Sequence, residues 1–159
     1  MLEAKIELPL HDNQYATYLL QHVTVPEPLQ VLVDCSLNVK DVNNDWTNIY
    51  HVIGVNGNYE NSEVFLSLCE ALLELGADVN TRIWYDASST IPKKSIHQSS
   101  TALMYFVGVA EDDGDVELIE WFLKANASPS MCNDKQESAL LIAKSRKLHD
   151  VVKLLEQAD

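Results

Sequence analysis

The sequence is poor in the motifs on which most catalytic sites are built. It has only five glycines, and it lacks a glycine-rich phosphate loop, a G-x-S-x-G turn and an HExxH helix. With 24 acidic residues, many carboxylates must lie near one another, so no single pair stands out as an acid–base pair. We therefore predict that the chain has no catalytic residues and is not an enzyme.

Cysteine is also scarce, and no cysteine adjoins another cysteine or a histidine. Cys35, Cys69 and Cys132 are odd in number, lie far apart, and adjoin apolar or turn sequence instead of another cysteine or a histidine. Disulfide frameworks need paired cysteines, and zinc ligands usually come in closely spaced pairs. The sequence predicts reduced thiols, no bound metal and no cofactor.

One acidic turn has the alternating carboxylates of a calcium loop but not its length. Residues 111–115 read Glu-Asp-Asp-Gly-Asp. A calcium loop of the EF-hand type needs a glutamate at its twelfth position, and that position, counted from Asp113, is Lys124. We favour the interpretation in which Asp115 caps the helix that follows, whose first turn is stabilised by negative charge.

Basic residues are few, and no long apolar run is present. The chain has 11 lysines and arginines against 24 acidic residues, a formal net charge of −13, which disfavours phosphate backbones and anionic lipid and favours a basic partner. No segment approaches the roughly 20 apolar residues of a membrane span. The first ten residues, with acids at Glu3 and Glu7 and a proline at Pro9, do not have the layout of an export signal. We expect a cytoplasmic protein that is monomeric when free.

What the sequence does contain is a repeated helix-ending motif. Residues 72–80 read LLELGADVN, and residues 122–130 repeat the outline as FLKANASPS, with Asn126 in the place of Gly76. The last six residues, LLEQAD, match the same motif cut short. Glycine and asparagine enter the left-handed backbone region at the least cost. The pattern predicts left-handed helix ends at Gly76 and Asn126.

Each unit also begins in the same way, with a hydroxyl side chain before a short apolar helix. Thr47, Thr101 and Ser138 occupy this position, where a side-chain oxygen can accept from free helical amides. The second helices carry apolar residues at helical spacing, which predicts that they pack on neighbouring units. These residues are Val64, Leu68 and Leu72, then Val116, Ile119 and Leu123, then Val151, Leu154 and Leu155.

A threonine-initiated helix followed by a helix that ends in an LLxxGADVN-like run resembles the ankyrin repeat, a unit of about 33 residues. The resemblance covers residues 41–159, with a degraded copy of the motif at residues 32–40. It implies an all-α fold, a solenoid of helix-turn-helix units with projecting hairpin or loop fingers. The implied domain spans residues 1–159, with an atypical N-terminal capping repeat at 1–40, repeats at 41–80, 81–130 and 131–159, and a long finger insert at 82–100.

The chain departs from the family pattern at two recurrent positions, so the resemblance does not predict a particular partner. The usual proline after the threonine is replaced by Asn48, Ala102 and Ala139. The usual histidine is replaced by Tyr50, Met104 and Leu141.

The features that differ between the units are the best candidates for partner contact. The insert and the preceding finger carry tryptophan and tyrosine, which dominate binding energy at interfaces, and the preceding finger lies where ankyrin proteins contact partners. The alternative is that these rings cover the bases of their own fingers. The matching finger of the last unit, residues 133–136, has no aromatic residue and is predicted to be a polar rim. The candidate partner-binding residues are Asn43, Asn44, Asp45, Trp46, Trp84, Tyr85 and Asp86.

Two hypotheses of function follow. The first is a non-enzymatic protein–protein interaction module, in its sharper form an acidic inhibitor or immunity protein that covers a basic partner such as a nuclease toxin. The second is a targeting or regulatory ankyrin domain of a larger enzyme, or of a secreted bacterial effector that acts on host proteins. Both predict that the ligand is another protein, with no direct binding to nucleic acid or membrane.

Overall fold

Five α-helices make up the regular structure of the described part of the chain. The structure, a computed structural model, describes Gln30, Asp34 and residues 62–82, 99–110 and 116–158. These residues contain no strand, so the all-α class is confirmed for them, and none of their helices is long and apolar enough to cross a membrane. The helices are α1 (Ser62–Glu74), α2 (Ala102–Val109), α3 (Val116–Lys124), α4 (Ala139–Arg146) and α5 (His149–Ala158).

The helices pack in two rows. Helix α3 lies between α1 and α5 and contacts both, while α2 and α4 contact each other. The rows are joined because α2 also packs on α3, and α4 on α5. Each helix of the α1–α3–α5 row is amphipathic and turns its apolar side inward, whereas α2 is apolar almost all round and is buried on most of its surface.

A chain of three phenylalanine rings joins the two rows at the centre of the core. Phe65 of α1, Phe106 of α2 and Phe122 of α3 are all buried. The ring centroids of Phe65 and Phe106 are 5.2 Å apart, and those of Phe106 and Phe122 are 5.3 Å apart. These are the separations of favourable aromatic pairs. Phe106 therefore connects α1 and α3 through α2.

The hydroxyl caps predicted for the second and third of the capped helices are confirmed. The Thr101 hydroxyl accepts from the backbone N–H of Met104 at 3.4 Å, and the Ser138 hydroxyl accepts from that of Leu141 at 3.3 Å. Both cap residues have extended backbone geometry, as N-caps require. Thr47, the first predicted cap, lies outside the described residues.

The left-handed helix ends are confirmed at Gly76, with φ of 91°, and at Asn126, with φ of 66°. At both ends the next residue forms the same helix-ending hydrogen bond. Ala77 N–H donates to Leu72 O, and Ala127 N–H donates to Phe122 O. A third end of this type, at Lys147 with φ of 63°, terminates α4 and was not predicted. Lys147 is neither glycine nor asparagine, so the repeated motif did not indicate this helix end.

The last helix departs at one position from the burial expected from its sequence. The LLEQAD comparison pairs Leu154 with Leu72 and Phe122, but Leu154 is only half-buried and Leu155 is the fully buried residue. Val151, Leu68 and Ile119 are buried as expected. Because Leu155 lies one turn after Val151 on the same face of α5, burial selects it over Leu154.

Helix α4 exposes the side that α2 buries. Counting from the caps, Met104 of α2 and Leu141 of α4 occupy equivalent positions, as do Val107 and Lys144. Met104 and Val107 are buried, because α4 packs against α2. Leu141 is 52% exposed, and Lys144 forms an exposed ion pair of 2.8 Å with Glu156 of α5.

Candidate partner-binding surface

All seven of the predicted partner-binding residues lie outside the described residues. The same is true of the acidic turn at 111–115 and of residues 83–98, the greater part of the insert. The structure does describe the ends of the insert at Arg82 and Ser99, and the turn of the last unit at residues 131–137, which we call the 131–137 turn. The candidate surface is therefore built from the edge at which the insert joins the helices.

Asn80 ties the two successive helix-ending motifs together. Its side-chain amide donates to Asn126 O at 2.9 Å, and its side-chain carbonyl accepts from Ser128 N–H at 2.8 Å. Asn80 is itself held in a turn, because its own N–H donates to the Asp78 carboxylate at 2.9 Å. The last residue of one GADVN run is thus bonded to the equivalent run of the next unit.

Arg82, two residues further on, joins three segments. One guanidinium nitrogen, Nη1, donates to Ser99 O at 3.0 Å and to Cys132 O at 2.6 Å. Ser99 is the far end of the insert, and Cys132 belongs to the 131–137 turn. A charged donor strengthens both hydrogen bonds, so Arg82 holds the two ends of the insert against the turn of the next unit.

The 131–137 turn is organised by the side chain of Asn133. This residue is 3% exposed, and its side-chain oxygen accepts from Lys135 N–H at 2.9 Å and Glu137 N–H at 3.0 Å. Its amide nitrogen donates to the Glu137 carboxylate at 3.2 Å. Asp134, Lys135 and Gln136 are exposed. The predicted polar rim therefore holds at 134–136 but is wrong for Asn133, which is buried because it bonds the turn from within.

The second arginine has the same kind of role at the other end of the structure. Arg146 of α4 donates from Nη1 to Gly108 O at 2.7 Å and from Nη2 to Ala110 O. These carbonyls belong to the C-terminal end of α2, where helical carbonyls lack intrahelical partners. Both arginines of this chain thus bind backbone carbonyls of a neighbouring segment.

Among the described residues, ion pairs lie on α3 and α5, and none lies on α1. Lys124 bonds Glu120 at 3.3 Å, and Lys153 bonds Asp150 at 2.7 Å, which lowers the pKa of the Asp150 carboxyl. Within the described ranges, the exposed carboxylates of α1 have no ion pair. They are Glu63, Glu70 and Glu74.

Two cysteines differ in chemical access. Cys69 is fully buried in α1, and burial first, with the Glu70 carboxylate second, raises the pKa of its thiol well above the ordinary value. Cys132 is half-buried, and its thiol donates to Ser130 O at 3.6 Å. Both are free thiols, and Cys35 lies outside the described residues. In the part of the chain that the structure describes, no group of three His, Cys, Asp or Glu residues could hold a metal ion.

The two thiols should therefore react at different rates. With iodoacetamide at mildly alkaline pH, we expect Cys132 to be alkylated in the folded protein and Cys69 only as the protein unfolds, because alkylation needs an accessible thiolate. The raised pKa of Cys69 in the folded state favours its neutral thiol. The contribution of this thiol to stability is complete below the pKa of about 8.5 in the unfolded state and is lost as pH rises through the pKa in the folded state. Mass spectrometry of labelled peptides measures both rates, and equal rates in the folded protein would contradict the burial of Cys69.

Sequence reasoning missed four residues whose side chains brace backbone segments: Asn80, Arg82 and Asn133 at this edge, and Arg146 at the end of α2. Asn80 is the last residue of the GADVN run, but that run predicts only a helix end. For Arg82 and Arg146, the available signal was the rarity of arginine. Only two of the 11 basic residues are arginines, and the planar guanidinium group, with several donors, is suited to contacts within the protein. Comparison with known proteins found no family model that matches the chain and no curated protein with significant sequence similarity.

Proposed function

We propose that this chain is a non-enzymatic protein-binding module, built as a divergent ankyrin-type stack, whose fingers contact a basic partner. The observation that carries the proposal is the pair of hydrogen bonds from Asn80 to Asn126 and Ser128. They join the matching helix-ending runs of two sequence-related units, at residues 72–80 and 122–130, which is the arrangement that a stack of repeats needs. Stacked repeats bury their helices against one another and leave the connecting segments on an extended edge that is free to bind.

The described edge supplies a rigid base for such contacts. Side-chain hydrogen bonds join the connecting segments to one another, so the helices alone do not fix the positions of these segments. The side chains that form these bonds belong to Asn80, Arg82 and Asn133. Binding loops carried on a fixed scaffold lose less conformational freedom when they meet a partner. On this basis we place the partner contacts on the fingers, with Trp46, Trp84 and Tyr85 as anchors and Asp45 and Asp86 beside them.

Charge supports a basic partner. The net charge of −13 produces a negative field that accelerates encounter with a positively charged protein and repels nucleic acid. Glu63, Glu70 and Glu74 of α1, which form no ion pair with another described residue, add to this field. An acidic inhibitor or immunity protein that covers a basic enzyme, such as a nuclease toxin, is the specific role that we propose.

The proposal is tested by capture of a partner from lysate of the cells that produce the protein. The bait is the parent chain, a Trp46→Ala/Trp84→Ala double variant, and a Leu141→Ala variant that removes an exposed apolar side chain of α4. We expect the parent and Leu141→Ala to capture the same basic protein at low salt and less of it at moderate salt, because salt screens exposed charges. The double variant should bind at least roughly tenfold more weakly, as loss of an aromatic anchor does at other interfaces.

The purified partner would then be titrated against all three chains. Binding that is insensitive to salt, or equal in the parent and the double variant, would contradict the proposed partner and the proposed fingers respectively. Absence of any specific partner would favour the second hypothesis, a targeting or regulatory domain of a larger enzyme or secreted effector.

A further inference from the structure

We propose that the Lys144–Glu156 ion pair keeps a second copy of this chain from packing on one side of the last two helices. That side, which we call the α4–α5 side, is formed by Leu141 and Lys144 of α4 and by Val152 and Glu156 of α5. The inference does not rest on the proposed function, because it concerns contact between two copies of the chain. Its evidence is a comparison of this side with the equivalent side of the preceding unit.

The first helix of the preceding unit shows what packs on such a side. Met104 and Val107 of α2 lie three and six residues after their cap, as Leu141 and Lys144 of α4 do after theirs. Helix α4 packs against α2, and both Met104 and Val107 are buried. Leu141 is exposed, and the position of Val107 is taken by a lysine. A helix thus covers this side of α2 through apolar side chains.

The second helices differ in the same sense. Ile119 of α3 and Val152 of α5 each lie three residues before a fully buried residue, Phe122 and Leu155 respectively. Helix α5 packs against α3, and Ile119 is fully buried, whereas Val152 is only half-buried. The side that apolar contacts close in the preceding unit therefore still has apolar surface exposed to solvent on α4 and α5.

The ion pair lies beside this remaining apolar surface. Lys144 Nζ and Glu156 Oε1 are 2.8 Å apart, and both side chains are about half-exposed. Lys144 lies three residues after Leu141, and Glu156 lies four residues after Val152, so each charged residue is one helical turn from an apolar one on the same side of its helix. The pair joins α4 to α5 across the α4–α5 side.

A second copy that packed on this side would have to remove both charges from water. The loss of hydration on burial of an ion pair can exceed the attraction between its charges, unless further hydrogen bonds satisfy the remaining polar atoms. A two-fold contact of this side with itself would bury two such pairs, because the same residues come from both copies. Without the pair, apolar contact would favour association, as it does where α4 covers α2.

The test replaces the pair by apolar residues without changing the net charge. Lys144→Leu/Glu156→Leu removes one cation and one anion, so the net charge stays at −13. Leucine favours the helix. The matched control is Asp150→Leu/Lys153→Leu, which removes an exposed ion pair of 2.7 Å from a different side of α5 and adds the same two leucines. Repulsion between the acidic chains is therefore the same in the parent and in both double variants.

Sedimentation equilibrium measures the mass of each chain over a range of concentrations at moderate salt. We expect the parent and the control to remain monomers of 17.9 kDa, and the Lys144→Leu/Glu156→Leu variant to approach twice that mass. Its association should reach the midpoint at a concentration at least roughly tenfold lower than any at which the parent associates. Addition of Leu141→Ala to this variant should weaken the association by at least roughly tenfold, because Leu141 lies on the same side.

Circular dichroism and urea unfolding establish that each chain is folded. If the double leucine variant does not fold, Lys144→Met/Glu156→Met, whose unbranched side chains are close in length to the originals, takes its place with the same expected result. Self-association of the parent in the same concentration range would overturn the proposal, as would a folded variant of the pair that stays monomeric. Association of the control to the same extent, or association that Leu141→Ala does not weaken, would overturn it as well.

Discussion

Phe106→Ala should lower the free energy of unfolding by about 4 kcal/mol, the middle of the range for truncation of a buried aromatic residue. Phe106 is 2% exposed and its ring packs between those of Phe65 and Phe122. Truncation removes two aromatic contacts and leaves a cavity at the one point where α1, α2 and α3 all meet. Neighbouring helices can fill such a cavity only by moving toward one another, which would strain the caps and turns at their ends.

Urea denaturation followed by circular dichroism measures this effect, and Phe106→Leu is the conservative comparison. Leucine fills much of the space but makes no ring contact, so it should cost less than about 1.5 kcal/mol. A small loss in Phe106→Ala, or equal losses in the two variants, would show that the three-ring chain does not hold the helical rows together.

Met104→Ala should cost about 3 kcal/mol, whereas Leu141→Ala should change stability by less than about 0.5 kcal/mol. The two residues hold equivalent positions in their helices, three residues after Thr101 and Ser138. Met104 is 2% exposed because α4 covers it, and Leu141 is 52% exposed. Truncation at the same position should therefore lower the free energy of unfolding strongly in one unit and hardly at all in the next.

Thermal or urea unfolding of the two single variants and of the double variant measures the difference. The double variant should show additive losses, because an exposed and a buried site without shared partners act independently. A large loss in Leu141→Ala would mean that this side chain is covered in solution, either by a second copy of the chain or by residues outside those described. In that event the unfolding midpoint would depend on protein concentration only if a second copy covers it.

Much of the local structure could be predicted from the sequence. The caps at Thr101 and Ser138 and the stops at Gly76 and Asn126 depend on a hydroxyl group or on a residue that tolerates positive φ. These are properties of single residues and their immediate neighbours. The apolar faces of the helices follow from spacing alone, so burial of Leu68, Leu72 and Ile119 was also predictable.

The braces between segments could not be predicted in the same way. Asn80, Arg82, Asn133 and Arg146 are ordinary polar residues in the sequence, and their partners lie 2 to 50 residues away. Three of them bond to backbone atoms of another unit, which any residue type can supply, so the partner positions carry no sequence signal. The stop at Lys147 was missed for a related reason, because the surrounding structure imposes a left-handed backbone on a residue that does not favour it.

The sequence by itself determined the helical character of the described residues, four of the helix ends, the acidic charge and the faces that become buried, because each of these depends on local chemistry or composition. The tertiary structure alone decided which residue of a related pair is buried, as with Leu155 over Leu154 and Met104 over Leu141. It also decided that both arginines serve internal contacts. Burial and long-range hydrogen bonds depend on which segment packs alongside, and that is set by the assembly of the whole core.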